Sequence, residues 1–309
     1  HKVKSMQAFS KRIVLVNLLV CAIAAPKGMG AEAMAFRSHA VAVPSSSTLL
    51  SLRGGDVADG ASVTIQDGML SADNLAAFYG VNGLLLGTLQ SFAPDLAMKL
   101  LHSYEAGTPS NKAARLVGAN MYAYGLIAYL SVVNKMSATK SMGWSLVPIV
   151  AHLLGRDVFT GEKSCSYQRA ALFFSSVLAL CATSLISGQG LPTDVAAGAS
   201  LVLLGSIDIL SILFPDEMMQ KLEHTQNFLP LDYKLRFVTQ AIGVHSLAHL
   251  SLFFALWRGK YPITAVGISA LTTSILAVIV LIMGPNFRKS GAPLAPMIPF
   301  VGTYLFMSW

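Results

Sequence analysis

The side chains of this sequence that could ligate a metal-centred cofactor stand in apolar surroundings. His245 and His249 are four residues apart, so one face of an α-helix carries both, and His152 stands in an earlier apolar run. A neutral imidazole can ligate the magnesium of chlorophyll, a haem iron or another transition metal. The alternative interpretation is that these histidines hydrogen-bond neighbouring helices. Amide side chains extend the set of candidate ligands with Asn82, Gln90, Asn120, Gln189 and Gln240.

Asp208 is the one carboxylic acid inside a long apolar run. Placing a carboxyl group in lipid is costly unless the group is paired, so such a residue is a functional candidate by default. Proton-coupled carriers use residues of this kind, and Asp208 with His245 and His249 could line a transport path. A hydrogen bond from Asp208 to a neighbouring Ser, Thr or Asn is the structural alternative.

Other catalytic chemistry has no signature in this sequence. It contains no Gly-rich phosphate loop, no H-E-x-x-H and no G-x-S-x-G motif. Its three cysteines are too few for a disulfide framework or a zinc site, and Cys165 and Cys181 do not form a C-x-x-C pair. We therefore predict neither an enzyme of the soluble type nor a protein-bound metal ion.

The composition indicates the solvent that surrounds these residues. Of the 309 residues, 54% are hydrophobic and only 12% are charged, about half the charged share of an ordinary globular domain, which is ~25%. The formal net charge is +7, but most of it falls in the first 56 residues. A nucleic-acid partner is therefore not predicted. The bulk of the chain is predicted to be an all-α, polytopic membrane protein whose immediate partner is lipid.

Eight long runs that are almost free of charge follow residue 75, and a membrane-spanning helix needs ~20 such residues. The predicted spans are Ala76–Pro94, Leu116–Asn134, Ser141–Gly155, Ala170–Thr193, Val195–Pro215, Phe237–Trp257, Tyr261–Phe287 and Ser290–Trp309. The loops after the odd-numbered spans carry eleven Lys or Arg, and the other loops carry four. By the positive-inside rule, the first set of loops faces the stroma if the membrane is a thylakoid.

The two halves of this region have similar sequences. A shift of 121 residues places Pro94-Asp95 on Pro215-Asp216 and Arg115 on Arg236. We therefore predict two parallel four-helix repeats, residues 76–193 and 194–309, with chance similarity of apolar helices as the alternative. In each repeat we expect the Asp to cap a short interfacial helix and the Arg to reach the lipid headgroups.

The repeat unit resembles the small DoxX-like four-helix membrane proteins. The resemblance rests on Gly83-Leu84-Leu85-Leu86-Gly87, on Pro94-Asp95 and on Arg115-Leu116-Val117-Gly118-Ala119. The second half departs from it, with Thr239-Gln240 in place of Gly118-Ala119. This resemblance implies an architecture of four helices and implies no particular chemistry.

The first 75 residues are predicted to direct the chain to its membrane. Met6 is the expected start, and residues 1–35 have the basic, apolar and small-residue regions of a signal peptide. Residues 36–55 contain Arg, Ser and no acid, and they begin with Phe36. Together the two segments resemble the bipartite presequences of complex, red-lineage plastids. A secretory signal with a Ser-rich pro-segment is the alternative, and residues 56–75 are expected to form a lumenal tail.

These observations give three functional hypotheses. The first is an accessory or linker subunit of a photosystem–antenna complex in the plastid thylakoid membrane, holding a few chlorophylls or carotenoids and contacting core or antenna subunits. The second is a carrier for protons or a small solute that uses Asp208 and the His245/His249 pair. The third is a haem or quinone oxidoreductase of the membrane, with His152 and His245 as the haem ligands.

Overall fold

The computed structural model describes residues 71–102, 108–155, 165–223 and 232–290, and this part of the chain is all-α, with no β-strand. Its helices are α1 (Ala72–Phe92), α2 (Pro94–His102), α3 (Thr108–Val132), α4 (Ala138–Leu153), α5 (Cys165–Ser187), α6 (Thr193–Leu213), α7 (Pro215–Glu223), α8 (Tyr233–Trp257), α9 (Pro262–Leu276) and α10 (Pro285–Ser290). The helix α9 continues into a π-helical stretch, Ala277–Ile282.

Three of these helices are long and apolar enough to cross a membrane: Thr193–Leu213, Tyr233–Trp257 and Pro262–Val280. The prediction of an all-α protein is thus confirmed for the described residues, and these three helices suggest a membrane protein. The first seven predicted spans each fall on a helix in the described ranges. Apart from Ser290, the eighth predicted span lies outside those ranges, as do the predicted signal peptide, the transit segment and residues 56–70 of the predicted lumenal tail.

The helices α1 and α3 pack backbone against backbone because glycines line their contact. A first side-chain carbon on Gly87 would lie 2.5 Å from the backbone nitrogen of Tyr122, and one on Gly125 would lie 2.5 Å from that of Leu84. These distances are far below van der Waals contact, so only glycine fits. Small residues at such positions let membrane helices approach closely.

Replacing Gly87 by Ala should therefore destabilise the protein, although alanine normally favours a helix by up to ~1 kcal/mol over glycine. The added methyl group must push α1 away from α3, and overpacking of this kind costs ~1–3 kcal/mol. The matched control is Gly198→Ala in α6, where nothing lies within 4 Å of the added carbon. Thermal unfolding in detergent should show a lower midpoint for the first variant only. Equal midpoints for the two variants would contradict the packing argument.

The centre of the described bundle is α8, which packs against α3, α4, α6, α9 and α10. Its buried residues come from every side of the helix, whereas α9 exposes Ile268, Leu271 and Ile275. A helix that is apolar all round and buried all round belongs inside a bundle. Polar groups on α8 are therefore placed in the protein interior and away from lipid.

The short helices α2 and α7 are each tied to the next long helix by an Asp in their first turn. Asp95 Oδ1 accepts a hydrogen bond from Asn111 Nδ2 at 2.7 Å. Asp216 accepts two from Arg236, at 2.7 Å to Nε and 2.6 Å to Nη2. The Arg236 guanidinium, which we expect to reach the lipid headgroups, thus forms a bidentate pair with Asp216. The long helix α8 has its own cap, Asp232, which accepts a hydrogen bond from the Leu235 backbone N–H at 2.6 Å.

Candidate functional site

The helices α6 and α8 pack closely at Asp208. A first side-chain carbon on Gly243 of α8 would lie 2.6 Å from the Asp208 carbonyl oxygen. Ser246 follows Gly243 by three residues and so lies on the same face of α8. Its hydroxyl group interacts with the Asp208 carboxyl group. The glycine therefore allows the approach, and the serine supplies the polar contact.

The Asp208 carboxyl group lies in the protein interior, and no described residue is a cationic partner for it. Its side chain is only 2% exposed. Among the described residues, the one side chain found to interact with it is Ser246, and its Oδ2 atom has no hydrogen-bond partner there. Desolvation makes an ionised carboxylate very unfavourable at such a position. Keeping Asp208 at this position is therefore costly for the fold.

A second hydrogen bond extends this contact across the bundle to α3. Ser246 Oγ donates to Asn120 Oδ1 at 3.1 Å, and Asn120 Nδ2 donates to the Leu116 carbonyl oxygen at 3.2 Å. Asn120 and Ser246 are both buried. We name Asp208, Ser246 and Asn120 the polar triad. It joins the three long helices α6, α8 and α3.

The two histidines of α8 are buried, and each contacts a different neighbour. The His245 ring lies nearly parallel to that of Tyr124, with 6.3 Å between the ring centroids. His249 Nε2 lies 2.9 Å from Ser145 Oγ in α4. That hydroxyl group also donates to the Met142 carbonyl oxygen at 2.7 Å. Since it has a single hydrogen, we assign Nε2 of His249 as the donor.

This tautomer leaves Nδ1 of His249 as a bare acceptor. Nδ1 is buried and has no hydrogen-bond partner among the described residues. His249 is fully buried, and Phe253 contacts it edge to face, with 5.9 Å between the ring centroids. The imidazole thus depends on a single hydrogen bond, to Ser145.

The amide candidates are mostly held inside the protein. Gln90 is buried, and its Nε2 atom lies 3.1 Å from Met121 Sδ. Gln240 donates to the Ile212 carbonyl oxygen and accepts from Asn286 Nδ2, both at 3.0 Å. Asn82 differs from these, because it is half-buried on the side of α1 that exposes Phe78 and Leu85.

The last two candidates lie near helix ends. His152 is half-buried near the end of α4, and Gln189 is exposed in the turn after α5. The structure thus brings Asp208 and Asn120 together through Ser246. It places His249 against Ser145, and it leaves Asn82, Gln90, Gln240, His152 and Gln189 in separate surroundings.

Serines that the sequence analysis did not select make several of these contacts. Besides Ser246 and Ser145, Ser269 of α9 lies 2.8 Å from the Tyr79 hydroxyl group and donates to the Ala248 carbonyl oxygen at 2.6 Å. Other serines in these helices donate to the carbonyl group four residues earlier, as Ser274 does to Ala270. The sequence contains no signal that separates the two kinds.

The chemistry open to this arrangement is the handling of a proton. A carboxyl group can hold one, and the neighbouring hydroxyl and amide groups can respond to its presence. Axial ligation of a pigment from the lipid phase is open to Asn82, whereas His245, His249, Asn120 and Gln90 lie in the interior. In the described ranges, no group of three or more His, Cys, Asp or Glu could hold a metal ion.

Comparison with known proteins gives no family for this chain. No family model matches it, and neither a curated protein nor a solved structure does. The resemblances to DoxX-like proteins and to plastid presequences therefore stay predictions.

Proposed function

We propose that this chain is a carrier that moves protons, or a small solute together with a proton, across a plastid membrane, with Asp208 as the proton-binding group. The observation that supports this most is the burial of the Asp208 carboxyl group in an apolar helix, where the described residues place a hydroxyl group and no cation beside it. Carboxyl groups are retained at such cost where a proton must be held and released.

The proposal includes a scaffold of eight spans in two parallel repeats. The first three helices of each half support it, because α1 and α6 both have 21 residues, α2 and α7 both have 9, and α3 and α8 both have 25. Their contacts correspond as well. Gly118 of α3 lies against Gly87 and Ser91, and Gly243 of α8 lies against Asp208 and Ile212.

These contacts give the register of the proposed repeat. The offset is 121 residues between α1 and α6 but 125 residues between α3 and α8. The linker between α7 and α8 is longer than the linker between α2 and α3, and this extra length accounts for the difference between the two offsets. Arg236 is then the equivalent of Asn111, and each binds the Asp of its own half. This pairing replaces the match of Arg236 with Arg115 that the uniform shift predicts.

In this register the site belongs to one half only. Asp208 stands where the first half has Gly87, and His249 stands where it has Tyr124. The polar triad crosses the contact between α3 and α8, which we name the seam. Transporters built from repeats commonly bind their substrate near the surface where the repeats meet. The position of Asp208 beside the seam fits that arrangement.

The test is a flux measurement on the full chain. Purified protein reconstituted into vesicles with an internal pH dye should dissipate an imposed pH gradient faster than protein-free vesicles, and Asp208→Asn should remove the difference. A parent protein that conducts no protons, with or without added small solutes, would overturn the proposal.

A second candidate function is the accessory subunit of a thylakoid photosystem–antenna complex, and one observation favours it. The outward side of α1 is apolar, with Phe78, Leu85 and Phe92 between 53% and 83% exposed. The half-buried Asn82 lies on the same side. An amide in such a position could serve as the axial ligand of one chlorophyll that packs on this surface, beside a partner subunit or lipid.

If Asn82 is a pigment ligand, protein isolated from its native membrane should carry chlorophyll, and Asn82→Leu should lose about one pigment per chain. Gln90→Leu is the matched control, because it removes an amide from the interior of the same helix. Pigment extraction and absorption spectra measure both variants. Pigment-free protein that does not co-migrate with a photosystem would refute this function, and the same spectra would reveal any haem.

A further inference from the structure

The hydrogen bonds of the polar triad have fixed directions, which means that the donor and the acceptor of each can be assigned. The Leu116 carbonyl oxygen only accepts, so the amide nitrogen of Asn120 must face it. The side-chain oxygen of Asn120 therefore faces Ser246, and Ser246 must be the donor. The single hydroxyl hydrogen of Ser246 is thus committed to Asn120.

This commitment decides which form of Asp208 suits the observed arrangement. With its hydrogen given to Asn120, Ser246 can only accept from Asp208, and only a protonated carboxyl group can donate to it. An ionised carboxylate accepts only, so it would face lone pairs of Ser246. It would also compete for the hydroxyl hydrogen, and a hydrogen bond to a charged acceptor is roughly twice as strong as one to a neutral acceptor.

We infer that Ser246 and Asn120 are positioning residues that transmit the proton occupancy of Asp208 to the seam between α3 and α8. When Asp208 releases its proton to water, Ser246 turns its hydrogen to the carboxylate and leaves the Asn120 oxygen. That oxygen is then an unpaired buried acceptor between the two helices, which weakens their contact. When Asp208 takes up a proton, the bond across the seam forms again. This inference rests on the proposed function and adds the route by which the proton acts.

Other titratable groups lie on the helices that pack against α6, and four of them have partners of their own. On α8, His245 stacks on Tyr124 and His249 bonds to Ser145. On α5, Cys181 interacts with Ser200. On α7, the carboxyl group of Asp216 forms an ion pair with Arg236. Among the described residues, the polar side chain found beside the Asp208 carboxyl group is Ser246.

Infrared spectroscopy of the full chain in lipid tests this route. The carbonyl stretch of protonated Asp208 is identified as the band that Asp208→Asn removes, and that of the Asn120 amide as the band that Asn120→Leu removes. During a pH titration, we expect the Asn120 band to shift over the same interval in which the Asp208 band disappears. In Ser246→Ala the Asp208 band should still titrate, whereas the shift of the Asn120 band should be lost.

Two further variants guard against a trivial loss of folding. Ser246→Thr keeps the hydroxyl group and should restore the coupled shift, and Ser145→Ala removes a buried serine outside the triad and should leave it intact. An Asn120 band that is independent of pH in the parent protein, or that still follows Asp208 in Ser246→Ala, would overturn the inference. Coupled bands without proton flux would refute the carrier and keep the coupling. Flux that depends on Asp208 without coupled bands would refute the coupling and keep the carrier.

Discussion

Replacing Asp208 by Asn is expected to lower proton flux in reconstituted vesicles to the level of protein-free vesicles. The two side chains have nearly the same size and shape, so the packing of α6 against α8 should survive. The amide cannot bind and release a proton in the accessible pH range, however. Among the described residues, the one side chain found beside the Asp208 carboxyl group is that of Ser246. If Asp208 is the group that carries the proton, Ser246 cannot replace it. The measurement is the rate at which an internal pH dye responds to an imposed gradient.

The matched control is Asp194→Asn, which makes the same chemical change at the start of the same helix. Asp194 is exposed, and its Oδ1 atom accepts a hydrogen bond from Trp257 Nε1 at 2.8 Å. Its loss should leave the flux close to that of the parent protein. Equal reductions in the two variants would indicate a general effect of charge or folding and would argue against Asp208 as the proton site.

The folding of Asp208→Asn provides a separate check on this interpretation. A buried acid without a cationic partner contributes little to stability, and its replacement by a neutral group of the same shape is often neutral or stabilising. The thermal midpoint of Asp208→Asn should therefore equal or exceed that of the parent protein. A large fall in the midpoint would show that the carboxyl group has a structural role, and lost flux would then carry no information about protons.

The second large effect is expected at the hydrogen bond between His249 and Ser145. In Ser145→Ala the imidazole loses its only hydrogen-bond partner among the described residues, and leaving a buried polar group unsatisfied costs ~1–3 kcal/mol. His249→Phe should cost less, because it removes the polar ring while keeping an aromatic side chain. In the proposed repeat register, the first half already has an aromatic ring, Tyr124, at this place.

The double variant Ser145→Ala, His249→Phe tests the pairing directly. It should recover most of the stability lost in Ser145→Ala, because neither buried polar partner remains, and residues in contact show interaction energies of ~0.5–3 kcal/mol in such cycles. Equilibrium unfolding in mixed micelles measures all four proteins. Additive losses would mean that the contact contributes nothing to stability and that the two residues act independently.

The helices of this protein could be predicted from its sequence because lipid imposes a simple rule on composition. Long uncharged runs must be helical, and the first seven predicted spans fall on helices in the described ranges. Asp208 could be selected for the same reason, since a single acid in such a run is conspicuous. Burial on all sides of α8 could not be predicted, because periodicity is weak in a helix that is apolar all round.

The partners of the site residues could not be predicted either, because they come from tertiary contacts between distant helices. Ser246 and Asn120 are separated by 126 positions, and nothing in their local sequence distinguishes Ser246 from serines that bond to their own helix. In the proposed repeat register Arg236 corresponds to Asn111, and a uniform shift of the sequence does not predict this because it ignores the longer linker before α8. In each case the missing information is the register between helices, which the hydrophobic pattern alone does not specify.

The glycine contact between α1 and α3 has a mechanical consequence for any cycle of opening and closing. The backbones are in contact at Gly87 and again at Gly125, which lie about one helical turn apart along the contact. Neither helix can therefore rotate or slide past the other without a clash. The helices α1 and α3 must therefore move as one rigid body. Gly243 holds α8 against α6 in a similar way. Displacement would then concentrate at the seam, where the α1–α3 pair meets α8.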